Sequence, residues 1–253
     1  SVVGKDAYFD QIGKVTAILK TSRHSDTPQI DTPHSRRRVS LADYEFADLI
    51  DQQDKIRLLI DPTSSYAKAA AYAMGRATDD VIIAAALGSS NTGVSGGTAV
   101  VLPAGNITAV GTGGANTMNI AKLALAKAKL DLGDVDPSIT RHIIVSPTEI
   151  QDLLNTTTIT SSDFNTVKAL VQGEIDSFMG FKFHVSNRLV DNGAANTQCI
   201  AFAEDGILLG VGKDVTARID ERSDKSYATQ VYYCQTIGAT RMEEAKVVSI
   251  LCN

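Results

Sequence analysis

The 253-residue chain contains no tryptophan, and only 6% of its residues are aromatic. It has three cysteines, Cys199, Cys234 and Cys252, an odd and widely spaced set without a CxxC pair. That pattern excludes a disulfide framework or a cysteine-built zinc site and fits a reducing compartment. No apolar run approaches the ~18 residues that a membrane-crossing helix needs. No signal-peptide pattern is visible, although the chain begins at Ser1 rather than Met. Basic residues are not in excess. Lys and Arg number 24 against 29 Asp and Glu, for a net charge of −5. A protein that grips nucleic acid by neutralising phosphates needs a clustered basic face, and this balance argues against one. What remains is an ordinary globular composition, long enough for one large domain or two smaller ones.

The first distinctive feature lies at residues 14–60, which read as a long two-stranded arm. One strand is expected at Lys14–Thr21 (KVTAILKT). A polar tip follows to about Ser35, with Pro28, Pro33, His24 and His34. The return strand opens on Arg36, Arg37 and Arg38 and continues through VSLADYEF. A two-stranded ribbon is marginal alone in water, and its edges offer unpaired backbone groups to a neighbour. Such an arm is either loose or docked on another molecule. Docking would cover Val15, Ala17, Leu19, Val39, Leu41, Tyr44 and Phe46. Three basic residues at the root of an arm in an acidic protein are most simply partners for a neighbour's carboxylates, with Glu221, Asp224, Glu243 and Glu244 as candidates.

Behind the arm stands the strongest helix signal. Asp61 is placed to cap the start and Pro62 occupies the first helical position, where its missing N–H is harmless. The run continues to Leu87, and Gly88 is expected as a left-handed cap. Its length is about 25 residues, or roughly 37 Å. Tyr66, Ala70, Ala73, Ala77, Val81, Ala84 and Ala85 recur near helical spacing and mark the expected packed face. Arg76 has Asp79 and Asp80 in pairing distance along the helix, and could equally hold Asp51 or Asp54. A second helix is expected at about Asn116–Leu130. The segment ITRHIIVSP (139–147) reads as a buried strand, with a short helix from Pro147. A hydroxyl-rich loop then leads to the alternating strand that starts at Gly180. Five strand-like segments close the chain (QCIAFA, GILLGV, DVTARID, YATQVYYCQTI and KVVSILC).

Catalytic and ligand motifs are scarce. Ser65-Tyr66-Ala67-Lys68 matches SxxK, but no SDN or KTG follows, so a solvated helical turn is expected. Gly88 to Gly93 has phosphate-loop spacing without the lysine that reaches the outer phosphates. Gly111-Thr112-Gly113-Gly114 before a helix is a structural turn, with a weak anion site as its alternative. His142 and His184 lie in apolar strands and are expected as core or boundary residues. No catalytic residues, cofactor or metal ligands are assigned.

The arm followed by YEFADLIDQQDKIRLLIDPTSSYAKAAAYAMGRATDDVIIAAALGS, then RHIIVSPTEIQDLL, GEIDSFMGFKFHVSNRL and QTIGATRMEEAKVVSILC, resembles the major capsid proteins of tailed bacteriophages with the Hong Kong 97-like fold. The resemblance covers nearly the whole chain. It implies an α+β architecture: an N-terminal arm at 1–12 and an extended β-hairpin loop at 13–47. A peripheral domain at 48–98 would carry a spine helix at 63–87. An axial domain would follow at 99–203, with C-terminal strands at 204–253 returning to the peripheral domain. It also implies self-assembly as hexamers and pentamers into an icosahedral shell around double-stranded DNA, held by weak non-specific contact. Portal, scaffold and decoration proteins become expected partners, the virion the location and the bacterial cytoplasm the place of assembly, with no membrane contact. A matured precursor would fit the missing Met. Inter-subunit contacts are then expected at Val15, Leu19, Lys20, Arg36, Arg37, Arg38, Leu41, Tyr44, Phe46, Glu243 and Glu244. Structural positions are expected at Asp54, Pro62, Arg76, Asp79, Gly88, Gly180 and Arg241. Lys20 raises a covalent lysine–asparagine weld, for which no asparagine can be matched. Two alternatives stand beside this reading: an encapsulin-like compartment of the same fold, and an α/β enzyme using the glycine turn for phosphate.

Overall fold

In a computed structural model of the chain, the structure describes residues 4–51, 53, 62–155, 177–193 and 196–253. Strands β1 (Asp6–Ile12), β2 (His34–Ser40) and β3 (Ala42–Ile50) precede helix α1 (Pro62–Leu87). Then come β4 (Ser90–Thr92), β5 (Thr98–Val100), β6 (Ile107–Thr108), α2 (Ile120–Leu132), β7 (Arg141–Val145) and α3 (Pro147–Asn155). The remaining strands are β8 (Ser177–Phe178), β9 (Phe181–Val185), β10 (Thr197–Ala203), β11 (Ile207–Arg222), β12 (Ala228–Arg241) and β13 (Val247–Cys252). They form a four-stranded sheet in the order β1-β2-β4-β5, a six-stranded sheet β6-β13-β10-β7-β9-β8 and a three-stranded sheet β11-β12-β3.

The central strands of the six-stranded sheet, β7, β10 and β13, are covered on both faces, which is why they read as apolar runs rather than as alternation. Side chains on successive strand positions point to opposite faces. Ile143 and Val145, Cys199, Ala201 and Ala203, and Val248 and Ile250 pack with Leu123, Ala126 and Leu130 of α2 and Leu153 of α3. Ile144, Ile200, Phe202 and Val247 face the other way, onto Ile83 and Ala86 of α1. The N-terminal half of α1 leans on the three-stranded sheet instead. There Gln235 of β12 donates to the Met74 carbonyl at 3.1 Å. One helix thus serves two sheets. Its buried positions are Ala70, Met74, Ile83 and Ala86, whereas Tyr66 and Ala84 are exposed. Of the expected stripe, Ala70 is buried and Ala73, Ala77, Val81 and Ala85 are partly buried, so only Tyr66 and Ala84 depart from it.

Helix α2 begins at Ile120, four residues later than the spacing of its apolar residues suggested. The Asn119 side chain explains the start: it accepts from the Lys122 N–H at 2.8 Å while its amide donates to the Thr112 carbonyl at 2.9 Å. Asn119→Ala is expected to cost about 1 kcal/mol, the usual worth of such a cap. Denaturant unfolding of the subunit would measure it, and an unchanged midpoint would contradict the assignment.

Several other expectations are corrected. The strand predicted at Lys14–Thr21 is not a strand. Its place is taken by β1, whose register with β2 runs from Asp6↔Ser40 to Ile12↔His34. Residues 14–21 have no strand partner among the described residues, because the facing segment 22–33 carries Pro28 and Pro33, and a ladder cannot use them as donors. The N-terminal arm and the hairpin root are therefore one sheet, joined by β4 and β5. β5 straddles the boundary expected between residues 98 and 99. The last strand joins the six-stranded sheet and meets the spine helix through Val247. β13 pairs with β10 from Thr197↔Cys252 to Phe202↔Val247, and its nearly unbroken run of buried side chains matches a strand covered on both faces. Gly88 does not adopt a positive φ. Its N–H donates to the Ala84 carbonyl at 2.8 Å, and an added Cβ would press on that oxygen. Gly180 sits at φ +87 beside Met179 at φ +53, and links Phe178 to Phe181 in the two-residue hairpin turn that demands positive φ at both centres. Asp54 lies outside the described residues, as do the hydroxyl-rich segment from 156 and the first four residues of GEIDSFMGF. α1 begins at Pro62, as its sequence suggested.

The chain crosses itself closely at one point. Where β2 passes over β12, a Cβ on Gly238 would collide with the Ser40 carbonyl and lie 3.1 Å from Val39. Gly238→Val is expected to destabilise the subunit by about 1–3 kcal/mol through overpacking. A thermal melt unchanged from wild type would rule this out.

Candidate assembly surface

Between β1 and β2 the chain runs for 21 residues, 13–33, without regular structure. The excursion is pinched shut at its base, where the Gly13 N–H donates to the Pro33 carbonyl at 2.8 Å. Beyond that point its apolar side chains face solvent. Leu19 is 84% exposed, Ile18 57%, Val15 54% and Ile30 43%. Lys20 is exposed beside them. A scattered exposed leucine needs no explanation, but four large aliphatic side chains on one unpaired segment do. One anchor ties the base to the rest of the chain: the Lys14 ammonium lies 3.0 Å from the Asp134 carboxylate, just after α2, and donates to the Gly133 carbonyl.

The root of the excursion is the opposite in character. Arg36 donates to Asp10 at 2.6 Å and lies over the Tyr8 ring at 5.7 Å. That hydrogen bond is the chief reason the Asp10 pKa falls below its ordinary value. Arg38 sits 4.0 Å from Asp6, and Ser40 also donates to Asp6. Arg37 is buried. Its guanidinium donates to both Glu244 oxygens at 2.8 Å and to the Met242 carbonyl at 2.8 Å. Glu244 lies 3.8 Å from Arg241, the largest wholly buried side chain among the described residues. Arg241 in turn donates to the carbonyls of Ala86, Gly88 and Val100 at 2.9, 2.8 and 3.0 Å. Burial pulls the Arg241 pKa down and the Glu244 charge opposes it. The end of the spine helix, the arm root and the end of β12 are thus fastened at one buried point. Three free helix-terminal and strand carbonyls need donors, and a planar guanidinium supplies them from one side chain.

This changes what the expected contact residues do. Arg37 and Glu244 were assigned to meetings between copies, and they meet each other within one chain. Arg36 and Arg38 also have partners in their own chain, Glu243 lies 3.3 Å from Lys246, and Asp224 is held by Arg222. Three successive arginines alternate in direction along β2, so their partners lie on opposite faces of the strand, which a count of charges does not reveal. Val39 is fully buried in the single chain. Leu41 packs on Gly212, and Tyr44 and Phe46 are half-buried in β3, opposite Gln235 and Tyr233. Val15, Leu19 and Lys20 remain on open surface. Arg76 and Asp79 are exposed on α1. The pairing expected of Arg76 with Asp80 gives way to an ion pair between Asp80 and Arg188 after β9. Sequence reasoning missed Arg188 because its partner is 108 residues away. It missed the buried Lys122 for the same reason. That ammonium lies 2.6 Å from the Asn116 carbonyl and 2.9 Å from that of Leu251.

The alternatives that invoked chemistry lose their footing. The turn at 111–114 is a 3-10 turn with positive φ at Gly113 and Gly114, separated from α2 by the Asn119 cap. The helix start it would have offered an anion is occupied by that side chain. Ser65 and Lys68 are exposed on the first turns of α1. His142 and His184 face each other across the strands, with ring nitrogens 2.9 Å apart, and His184 is exposed rather than buried. Burial and then the facing imidazole lower the His142 pKa. The three cysteines are free thiols.

An arm root locked into its own chain, carrying an unpaired apolar excursion, is the geometry of a subunit made to meet copies of itself. The family model for phage capsid protein matches residues 1–253. The chain belongs to that family. It is a structural, major capsid protein that forms an icosahedral shell of copies of itself, and its place is the virion capsid. No curated protein sequence matches it. Among solved structures, the capsid of cyanophage P-SCSP1u is similar with a TM-score of 0.72 at 17% identity, over 99% of this chain and 84% of that one. The capsid of Ralstonia phage GP4 gives 0.71 at 11% identity, over 99% and 84%. The capsid of cyanophage Pam1 gives 0.70 at 14%, over 99% and 85%. At such identities the likeness is one of fold. It is the Hong Kong 97-like fold.

Proposed function

We propose that this capsid subunit closes rings of five and six copies by laying residues 13–33 on the next copy, and that the shell so formed encloses double-stranded DNA. The observation that carries the reading is the pairing state of the loop. Its side chains Val15, Ile18 and Leu19 are more than half exposed, while Arg36, Arg37 and Arg38 at its root each have a partner in their own chain. Contact between copies is then heterologous, one surface meeting a different one, and closes into rings when the rotation permits. Apolar burial supplies the attraction and the extended backbone adds pairing at an edge. Of the edge strands among the described residues, β3 and β11 are the longest and offer the most backbone to receive it. β11 is poorly suited, since it is broken by bulges near Lys213 and lined with charge, the usual protection of an edge. β3 carries no bulge in its pairing with β12.

Contact with the enclosed DNA is weak and non-specific, as the acidic balance of the chain implies. Portal, scaffold and decoration proteins are the further partners of such a shell, and assembly takes place in the host cytoplasm. The test is direct. Purified protein should elute from a sizing column as particles that negative-stain microscopy resolves as closed shells with five- and six-fold capsomers. Monomers that persist at all concentrations, or open sheets and tubes alone, would contradict it. Tight, steeply salt-dependent DNA binding by isolated subunits would contradict the account of the contents.

A further inference from the structure

Helix α2 (Ile120–Leu132) is apolar on two opposite faces. Leu123, Ala126 and Leu130 are wholly buried on the core side. Ala121, Ala124, Leu125, Ala128 and Leu132 recur at i, i+3, i+4, i+7 and i+11, and all five are exposed. At about 3.6 residues per turn they fill one arc of about 100° on the far side. Leu132 is 83% exposed and Leu125 38%. The charged residues stand outside this arc, Lys127 and Asp131 beyond one margin and Lys129 beyond the other, while Lys122 is buried. A surface helix turns a charged side to water, and a helix that is apolar all round is a buried one. Ile107 of the edge strand β6, 38% exposed, lies alongside, where the Lys129 ammonium donates to its carbonyl at 2.8 Å.

We infer that the outer face of α2 is a second contact between copies, covered in the shell by the next copy of this chain. The inference rests on the ring-forming reading above. Two observations choose that occupant. The family builds shells from copies of one chain. The patch also adjoins the loop already placed on the next copy. Lys14, at the loop's base, is fastened to the Asp134 carboxylate at 3.0 Å and to the Gly133 carbonyl. Val15 follows Lys14 in the chain and Leu132 precedes Gly133, so these two exposed side chains stand at one junction. The apolar surface then runs from the loop base along the helix, as one patch turned to one neighbour. Its three alanines let the facing element approach closely, and its two leucines supply most of the area to be covered. DNA does not suit the face, because the arc carries no cation to meet phosphate.

The experiment compares the full-length chain with a Leu125→Asp/Leu132→Asp variant. Negative-stain microscopy and sizing chromatography should find shells from the wild type and at least about tenfold fewer from the variant, since an unpaired carboxylate is costly to bury. The melting temperatures of the two subunits should agree within a few degrees. In a Cys234→Ser background, Leu132→Cys should react with a maleimide at least about tenfold more slowly in assembled shells than in free subunits. Shells at wild-type yield from the double variant, or a cysteine equally reactive in both states, would overturn this contact and leave the loop contact standing. A collapsed melt would overturn it as well, because the face would then be covered within its own subunit. Absence of shells from the wild type would overturn the ring reading and this contact with it.

Discussion

An Arg241→Met subunit should unfold with a loss of about 3–5 kcal/mol, the usual consequence of removing one partner from a buried charged network. Methionine fills much of the volume but donates nothing. The carbonyls of Ala86, Gly88 and Val100 would lose their partner together. Glu244 would be left with Arg37 alone. Lysine at 241 should restore only part of the loss, because an ammonium is a point donor and cannot reproduce the fork. Denaturant titration of the isolated subunit, or soluble yield where the variant is too weak to purify, measures this. Full stability in Arg241→Met would mean that the buried point does not hold the helix end, the arm root and β12 together.

The second large effect separates folding from assembly. Val15→Asp, Ile18→Asp and Leu19→Asp together should abolish shells while leaving the subunit's melting temperature within a few degrees of wild type. All three side chains are more than half exposed. Each buried aliphatic side chain contributes about 1.5–3 kcal/mol, so three lost at every contact around a ring amount to most of an interface. Negative-stain microscopy and sizing chromatography give the first readout and calorimetry the second. Intact shells from the triple variant would place the contact elsewhere, whereas a collapsed melt would mean that the loop packs on its own subunit.

The two experiments probe the same arm from opposite ends, and the sequence was informative about only one of them. The loop was legible because prolines, hydroxyls and an apolar segment without a partner stand together at 14–35. Helix α1 was legible because Pro62 and the alanine-rich run act locally, and β7 and β13 because Val and Ile cluster. What escaped was everything decided over long separations. The strand that pairs with β2 is β1 and not residues 14–21, a choice made by Asp6 and Asp10 finding Arg38 and Arg36. Arg37 and Glu244, separated by 207 residues, looked like surface charges awaiting a neighbour and are instead each other's partner. Charge pairing depends on the side of a strand, and three consecutive arginines leave that open until the register is known.

The locked root has a mechanical consequence. Half of the excursion, about ten residues, can reach at most about 33 Å from the pinch at Gly13 and Pro33. A tilt of about 5° at the base would carry the far end sideways by about 3 Å at that reach, nearly one residue of strand register. A base fixed by Arg37, Glu244 and Arg241 therefore acts as an angular stop. It confines a long lever to a narrow cone, so that curvature between neighbouring copies must be taken up at the lever's far end and not at its bearing.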